Sequence, residues 1–290
     1  MAILFQIQRQ GSDFSVTADG GPRLFVGRKV EYKGKIGLFN IFAGSKLPKL
    51  LYDPTEHAGT EGFWARFVEP TAICEGRSYL TLNTYDRAAF TFGFGQFAAH
   101  VPDGDFVRYF RTLLGKAEAR DYFPHLAVIN GRIHRTEIGS EPEPLESGQS
   151  TAPLMAYLNP GLSEVEDAEV IAAGKLIHWT LQHVSARAAQ VQTMIATYRT
   201  FMARADNRVG IDKRPARECC VIADILHHGR GGSTTWPQID AAVKTSDPYG
   251  SLLKIGSPLW DERLKTLRKA INDRPDFLQL RWSRSAQDFV

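Results

Sequence analysis

Over residues 1–55 short apolar runs alternate with polar turns. Ile3–Ile7, Phe14–Thr17, Arg23–Val26 and Lys35–Phe39 have the composition of strands, and Asp19-Gly20-Gly21-Pro22 and Lys33-Gly34 separate them as turns. Near Thr60 the pattern changes. Phe63, Trp64, Phe67 and Val68 share one helical face. Pro70 predicts a break or restart, because proline offers no N–H to the helix. A short helix from about Thr71 to Glu75 then ends at Gly76, a favoured C-terminal cap. Residues 78–97 return to strand-like alternation, with Asp86-Arg87-Ala88-Ala89 as a turn. A helix follows at about Phe106–Lys116. Asn130-Gly131, between Leu126–Ile129 and Arg132–His134, predicts a tight hairpin. Residues 137–152, rich in Glu, Pro, Ser and Gly, read as a loop. Beyond it the pattern is helical over 163–184, 186–205, 215–228 and 259–272, and glycines at 229, 231 and 232 close the third of these. No internal repeat or low-complexity tract is visible.

Composition narrows the class without naming a function. With 290 residues, 43% hydrophobic and 23% charged, the chain can build a sizeable core and needs no disulfide or metal staple. The net charge of +3 is weak evidence for an anionic partner. The densest basic cluster, Lys213-Arg214 with Arg217, reads as a solvated helix start, so no nucleic-acid partner is expected. The three cysteines, Cys74 and the adjacent Cys219 and Cys220, argue against a disulfide framework and for a reducing compartment. Cys219-Cys220 and His227-His228 lack zinc-ligand spacing, so no metal is expected. The N-terminal run has no basic segment and is too short for a signal peptide. No stretch approaches the roughly 18 apolar residues of a membrane span, so membrane insertion is not expected.

One stretch carries candidate chemistry. Glu75-Gly76 is followed by Tyr85-Asp86 and then by Thr91-Phe92-Gly93-Phe94-Gly95-Gln96-Phe97. Glycosidic cleavage uses two carboxyl groups, one to protonate the leaving oxygen and one to act on the other face of the sugar. Each residue alone has a plainer reading: a surface glutamate at a helix end, a turn aspartate, a strand threonine. Their order and spacing give the enzymatic reading its weight. Gly93 and Gly95 in an aromatic strand point either to close approach of a sugar ring or to a bulge. Asp103 and Asp105 either contact substrate or shape a turn and cap the next helix.

This stretch resembles phage-type lysozymes, which carry an acidic residue plus glycine at a helix end, an aspartate in a hairpin and a Thr-x-Gly-x-Gly run. Asp86, Thr91 and Asp103 are also similar to the corresponding residues of chitosanases of the lysozyme-like superfamily. The resemblance covers only Glu69 to Asp103. Its Glu75–Asp86 interval is slightly long for the phage type, and Glu69 suits the chitosanase spacing better, so both glutamates compete for the acid. It implies an α+β lysozyme-like fold, with a small β-hairpin lobe, a mostly helical lobe and a cleft between them. Residues 1–55 would add an N-terminal β-rich region, either a separate module or a β extension, and residues 56–290 would form the catalytic domain. The implied activity is hydrolysis of a β-1,4-linked amino-sugar polymer, peptidoglycan first and chitosan second. The rival is a non-catalytic binding or structural protein that retains the fold. Glu75 or Glu69 would be the general acid, Asp86 would orient a water held by Thr91, and Tyr85, Gln96 and Asp103 would contact substrate. An inverting outcome needs carboxyl groups roughly 6.5–9.5 Å apart. No cofactor is implied. Cytoplasmic synthesis, followed by lysis, a holin or a specialised export machine, is the expected route to the cell wall.

Overall fold

The computed structural model describes residues 2–41 and 44–290; Met1, Phe42 and Ala43, all within the N-terminal region, lie outside them. The strands expected near the N-terminus form: β1 (Phe5–Gln10) is shifted towards the C-terminus, β2 (Asp13–Ala18) and β3 (Leu24–Tyr32) are longer than expected, and β4 (Lys35–Phe39) has the expected bounds. The sheet does not stop there. Phe39 pairs with Asn83, so β5 (Leu82–Asn83), β6 (Thr91–Phe92) and β7 (Phe97–Ala98) continue it as one seven-stranded antiparallel meander. The N-terminal strands are thus a β extension of the sheet that carries the Asp86 turn.

Contacts divide the chain into two units, each made of two stretches of sequence. The first comprises Met1–Leu51 and Ser78–Thr193, and the second Tyr52–Arg77 and Met194–Val290. The first unit holds the sheet, the helices Asp105–Leu114, Ala152–Leu158 and Asp167–Gln182, and the start of a 26-residue helix, Val184–Val209. Its core is aromatic. Phe90, Phe92, Phe94 and Phe97 pack with Phe106 and Tyr109, all essentially without solvent exposure. The Asn130-Gly131 hairpin forms as its dipeptide predicts, with both residues at positive φ (48° and 74°), joining β8 (Leu126–Ile129) to β9 (Arg132–Arg135). The stretch 137–152, expected as loop, adds a two-residue strand, β10 (Glu143–Pro144), to β9.

The second unit is built on helix Phe63–Cys74, with helices Ala216–His228 and Asp261–Asn272 and a short hairpin of β11 (Trp282–Ser283) and β12 (Asp288–Phe289). The break expected at Pro70 does not occur. Pro70 lies inside a continuous helix, and only its bond to the Arg66 carbonyl is forfeited. Burial of the face made by Trp64, Phe67 and Val68 outweighs that local cost. Phe67 meets Phe289 at 4.5 Å between ring centroids, and the Trp64 indole N–H donates to Asp288 Oδ1 at 2.7 Å. The molecule is therefore mixed α+β, with an antiparallel sheet and several helices. Among the described residues no helix is long and apolar enough to cross a membrane.

Candidate functional site

Asp86 lies in the connection between β5 and β6, and its carboxylate is fixed at both oxygens. Oδ1 accepts from the Ala88 amide at 2.8 Å and Oδ2 from Asn83 Nδ2 at 2.9 Å. Aspartate suits this turn because its short side chain reaches the amide two residues on. Asn83 is the register partner of Thr91, which is buried on the facing strand. Tyr85 sets its ring edge-on to Tyr32 and Phe39, with centroids 6.1 and 5.9 Å away. Burial raises its phenol above the ordinary range, with the Asp86 charge adding to the effect.

The glycine-rich run is a packed turn. Gly93 has φ +89°, and a Cβ there would stand 2.5 Å from Gln190 Oε1. That same oxygen accepts from the Phe94 amide at 3.1 Å, while Gln190 Nε2 donates to the Tyr79 carbonyl. Close approach of a protein amide accounts for the glycine. Gln96 follows at a positive φ of 49°.

Asp103 is exposed, also at positive φ, and accepts from Arg111 at 2.8 Å and Arg132 at 2.7 Å. Hydrogen bonding from Arg111, helped by Arg132, holds its carboxyl below the usual range against the opposing effect of burial. The two arginines share a second acceptor that sequence reasoning missed. This is Glu146, whose side chain has no solvent exposure and which also accepts from the Ile133 amide. Asp105 opens the next helix, with Gly104 rather than either aspartate at the cap.

The competing glutamates lie in the second unit. Glu75 caps helix Phe63–Cys74, and the chain leaves it through Gly76 and Arg77, both at positive φ (86° and 61°). Its Oε1 accepts from Arg263 Nη1 at 2.5 Å. Arg263 also donates to Asp224 at 2.7 Å, and Asp224 pairs with Arg230 and accepts from Thr71 Oγ1 at 2.9 Å. The Asp224 and Arg230 side chains are fully buried. Burial alone would raise the Asp224 carboxyl, but Arg263 and Arg230 outweigh it and hold it at about 2. His228, facing Trp260 edge-on, is pushed down to about 4 by burial and then by the Arg263 charge. Arg230 thus belongs to a closed ionic cluster.

Glu69 is different in one respect. It is buried in the middle of the helix, pairs with Arg274 and stands 3.6 Å from Arg77 Nη2, yet it lines an open cavity of about 430 Å³. Asp53, Arg66, Arg77, Arg274 and Asp276 share that wall.

A further carboxyl had no sequence signal. Glu169, fully buried on helix Asp167–Gln182, accepts from the Thr84 hydroxyl and from the Leu38 amide at 3.2 Å. Burial raises it to about 7, against the lowering effect of those donors. Cys219 and Cys220 are buried, and among the described residues no group of His, Cys, Asp and Glu could hold a metal. The structure thus brings Asp86, Asn83 and Thr91 onto one hairpin of the first unit and gathers Glu69 and Glu75 on one helix of the second. Compared with known proteins, the chain matches no family model, no curated protein and no solved structure.

Proposed function

We propose that this chain is a glycoside hydrolase of lysozyme-like type. It would cleave a β-1,4-linked amino-sugar polymer, with peptidoglycan as the leading substrate and chitosan second. The observation that carries this reading is the Asp86 turn. A carboxylate with both oxygens fixed, five positions before a threonine on the facing strand, suits the orientation and deprotonation of an attacking water. Asp86 takes the base role and Thr91 steadies the water. The acid expected from the sequence is Glu75 or Glu69; within the second unit Glu69 borders an open cavity and Glu75 is held by Arg263.

A second reading has its own support. Both glutamates pair with arginine, so their carboxyl oxygens are engaged within the protein. A non-catalytic, carbohydrate-binding protein that keeps the fold would tolerate that arrangement.

The test is reducing-end release from purified peptidoglycan and, separately, from chitosan. Wild type is run beside Asp86→Asn, Glu69→Gln and Glu75→Gln. Release by wild type is expected, and loss of the true acid lowers kcat by about 10²–10⁴. The substrate that responds names the polymer. No release from either polymer overturns the hydrolase and favours the binding protein.

A further inference from the structure

We infer that Asn159 and Glu169 are positioning residues that clamp the Thr84–Ala89 turn and thereby aim the Asp86 carboxylate. The inference rests on the role proposed above for Asp86. All the groups involved belong to the first unit.

Asn159 caps the C-terminal end of helix Ala152–Leu158 and is only 4% exposed. Its Nδ2 donates to the Thr84 carbonyl at 3.0 Å and to the Ala89 carbonyl at 2.8 Å. One amide therefore ties the two ends of the turn together. Two carbonyl acceptors also fix its orientation, because the flipped amide would set oxygen against oxygen. The same amide's Oδ1 is buried without a partner. That cost is tolerated for the two bonds on its other side.

Glu169 holds the turn's first residue from a different helix. Its Oε1 accepts from the Thr84 hydroxyl and the Leu38 amide, and its Oε2 accepts from the Glu166 amide at 3.3 Å. Strand β4 supplies the third hold. The Thr84 amide donates to the Leu38 carbonyl at 3.0 Å, and the Leu38 amide donates back to Thr84 Oγ1 at 2.6 Å. Gly37 permits this approach. A Cβ there would stand 2.8 Å from both the Thr84 carbonyl carbon and the Tyr85 nitrogen.

Three elements thus converge on six residues that carry Asp86, the proposed base, and its neighbour Tyr85, a candidate substrate contact. A displacement of about 1 Å at a reacting group costs on the order of 10² in rate, so a clamp of this kind has a kinetic consequence that its contacts alone would not suggest.

The test uses Asn159→Asp, which keeps the shape but sets a carboxylate oxygen against both carbonyls. The full-length protein is assayed for reducing-end release, for amide exchange at Ala88, whose N–H bonds Asp86, and for thermal midpoint. The expected result is a fall in kcat of about 10- to 100-fold with KM nearly unchanged, together with faster exchange at Ala88 and unaltered exchange in β1–β3. Glu169→Gln keeps the Oε1 contacts with Thr84 and Leu38, gives up only the one with the Glu166 amide outside the turn, and is expected to stay within about threefold of wild type, whereas Glu169→Leu follows Asn159→Asp. If Asn159→Asp does not fold, Asn159→Ala is judged by the same readouts. Unchanged exchange at Ala88 overturns the clamp whatever the rate does, and faster exchange with an unchanged kcat overturns the positioning role. Wild type that releases nothing sinks the hydrolase reading and the catalytic half of this inference, while faster exchange in the variant would still establish the clamp.

Discussion

Glu169 shows what one buried carboxyl does to the whole stability curve. Its folded value of about 7 lies above the ordinary 4.5, so the folded protein binds a proton that the unfolded chain has already lost between those values. The contribution is complete below about pH 4.5 and is lost as pH rises through 7. It amounts to on the order of 3 kcal/mol. Urea midpoints should therefore fall from about pH 5 to about pH 8 more steeply in wild type than in Glu169→Gln. Parallel slopes would refute the assignment. Asp224 is the opposite case, a carboxylate kept ionised by two buried guanidinium groups. Asp224→Ala leaves Arg230 without its counter-charge and is expected to cost about 3–5 kcal/mol in urea unfolding. A loss below about 1 kcal/mol would mean that the cluster is already hydrated. Neither residue was legible in the sequence. Glu169 meets Thr84 across 85 positions and Asp224 meets Arg263 across 39, and no local pattern marks a partner at such a distance. The turn at Asp86 was legible because the partners that shape it, Asn83 and Ala88, lie within three positions.

At the scale of elements, the same division between local and distant causes decides what could be read in advance. The Asn130-Gly131 hairpin and the glycine after helix Phe63–Cys74 follow from backbone preferences, and both stand where those preferences put them. The helices expected at 163–184, 186–205, 215–228 and 259–272 form as Asp167–Gln182, Val184–Val209, Ala216–His228 and Asp261–Asn272. Pro70 misled because the aromatic packing that overrides it comes from Phe277 and Phe289, near the other end of the chain. Gly174 is a case that propensity alone would misjudge. Alanine is the better helix former by about 1 kcal/mol, but a Cβ at 174 would stand 2.8 Å from Val16 Cγ2 on β2. Gly174→Ala is therefore expected to destabilise by about 1–3 kcal/mol, since the helix must lift from the sheet. A raised thermal midpoint would contradict that packing.

For the molecule as a whole, the sequence carried no mark of how its residues are shared between the two units. The crossing at Thr193–Met194 falls inside one uninterrupted helix, where neither proline, glycine nor a change in composition punctuates the chain. The crossing at Arg77–Ser78 follows a helix cap that reads like any other. The earlier part of the second unit, Tyr52–Arg77, is thus separated in sequence from the rest of that unit, Met194–Val290. During synthesis the ribosome releases Trp64 and Phe67 long before it makes Phe277, Trp282 and Phe289, which later enclose them. At roughly 5–20 residues per second, that interval lasts on the order of ten seconds or more. Even after Tyr198 and Arg199 emerge to meet Phe67 and Trp64, the nascent chain displays an aromatic helix face that lacks its Phe277, Trp282 and Phe289 cover, a surface of the kind that chaperones bind and through which unfinished chains aggregate.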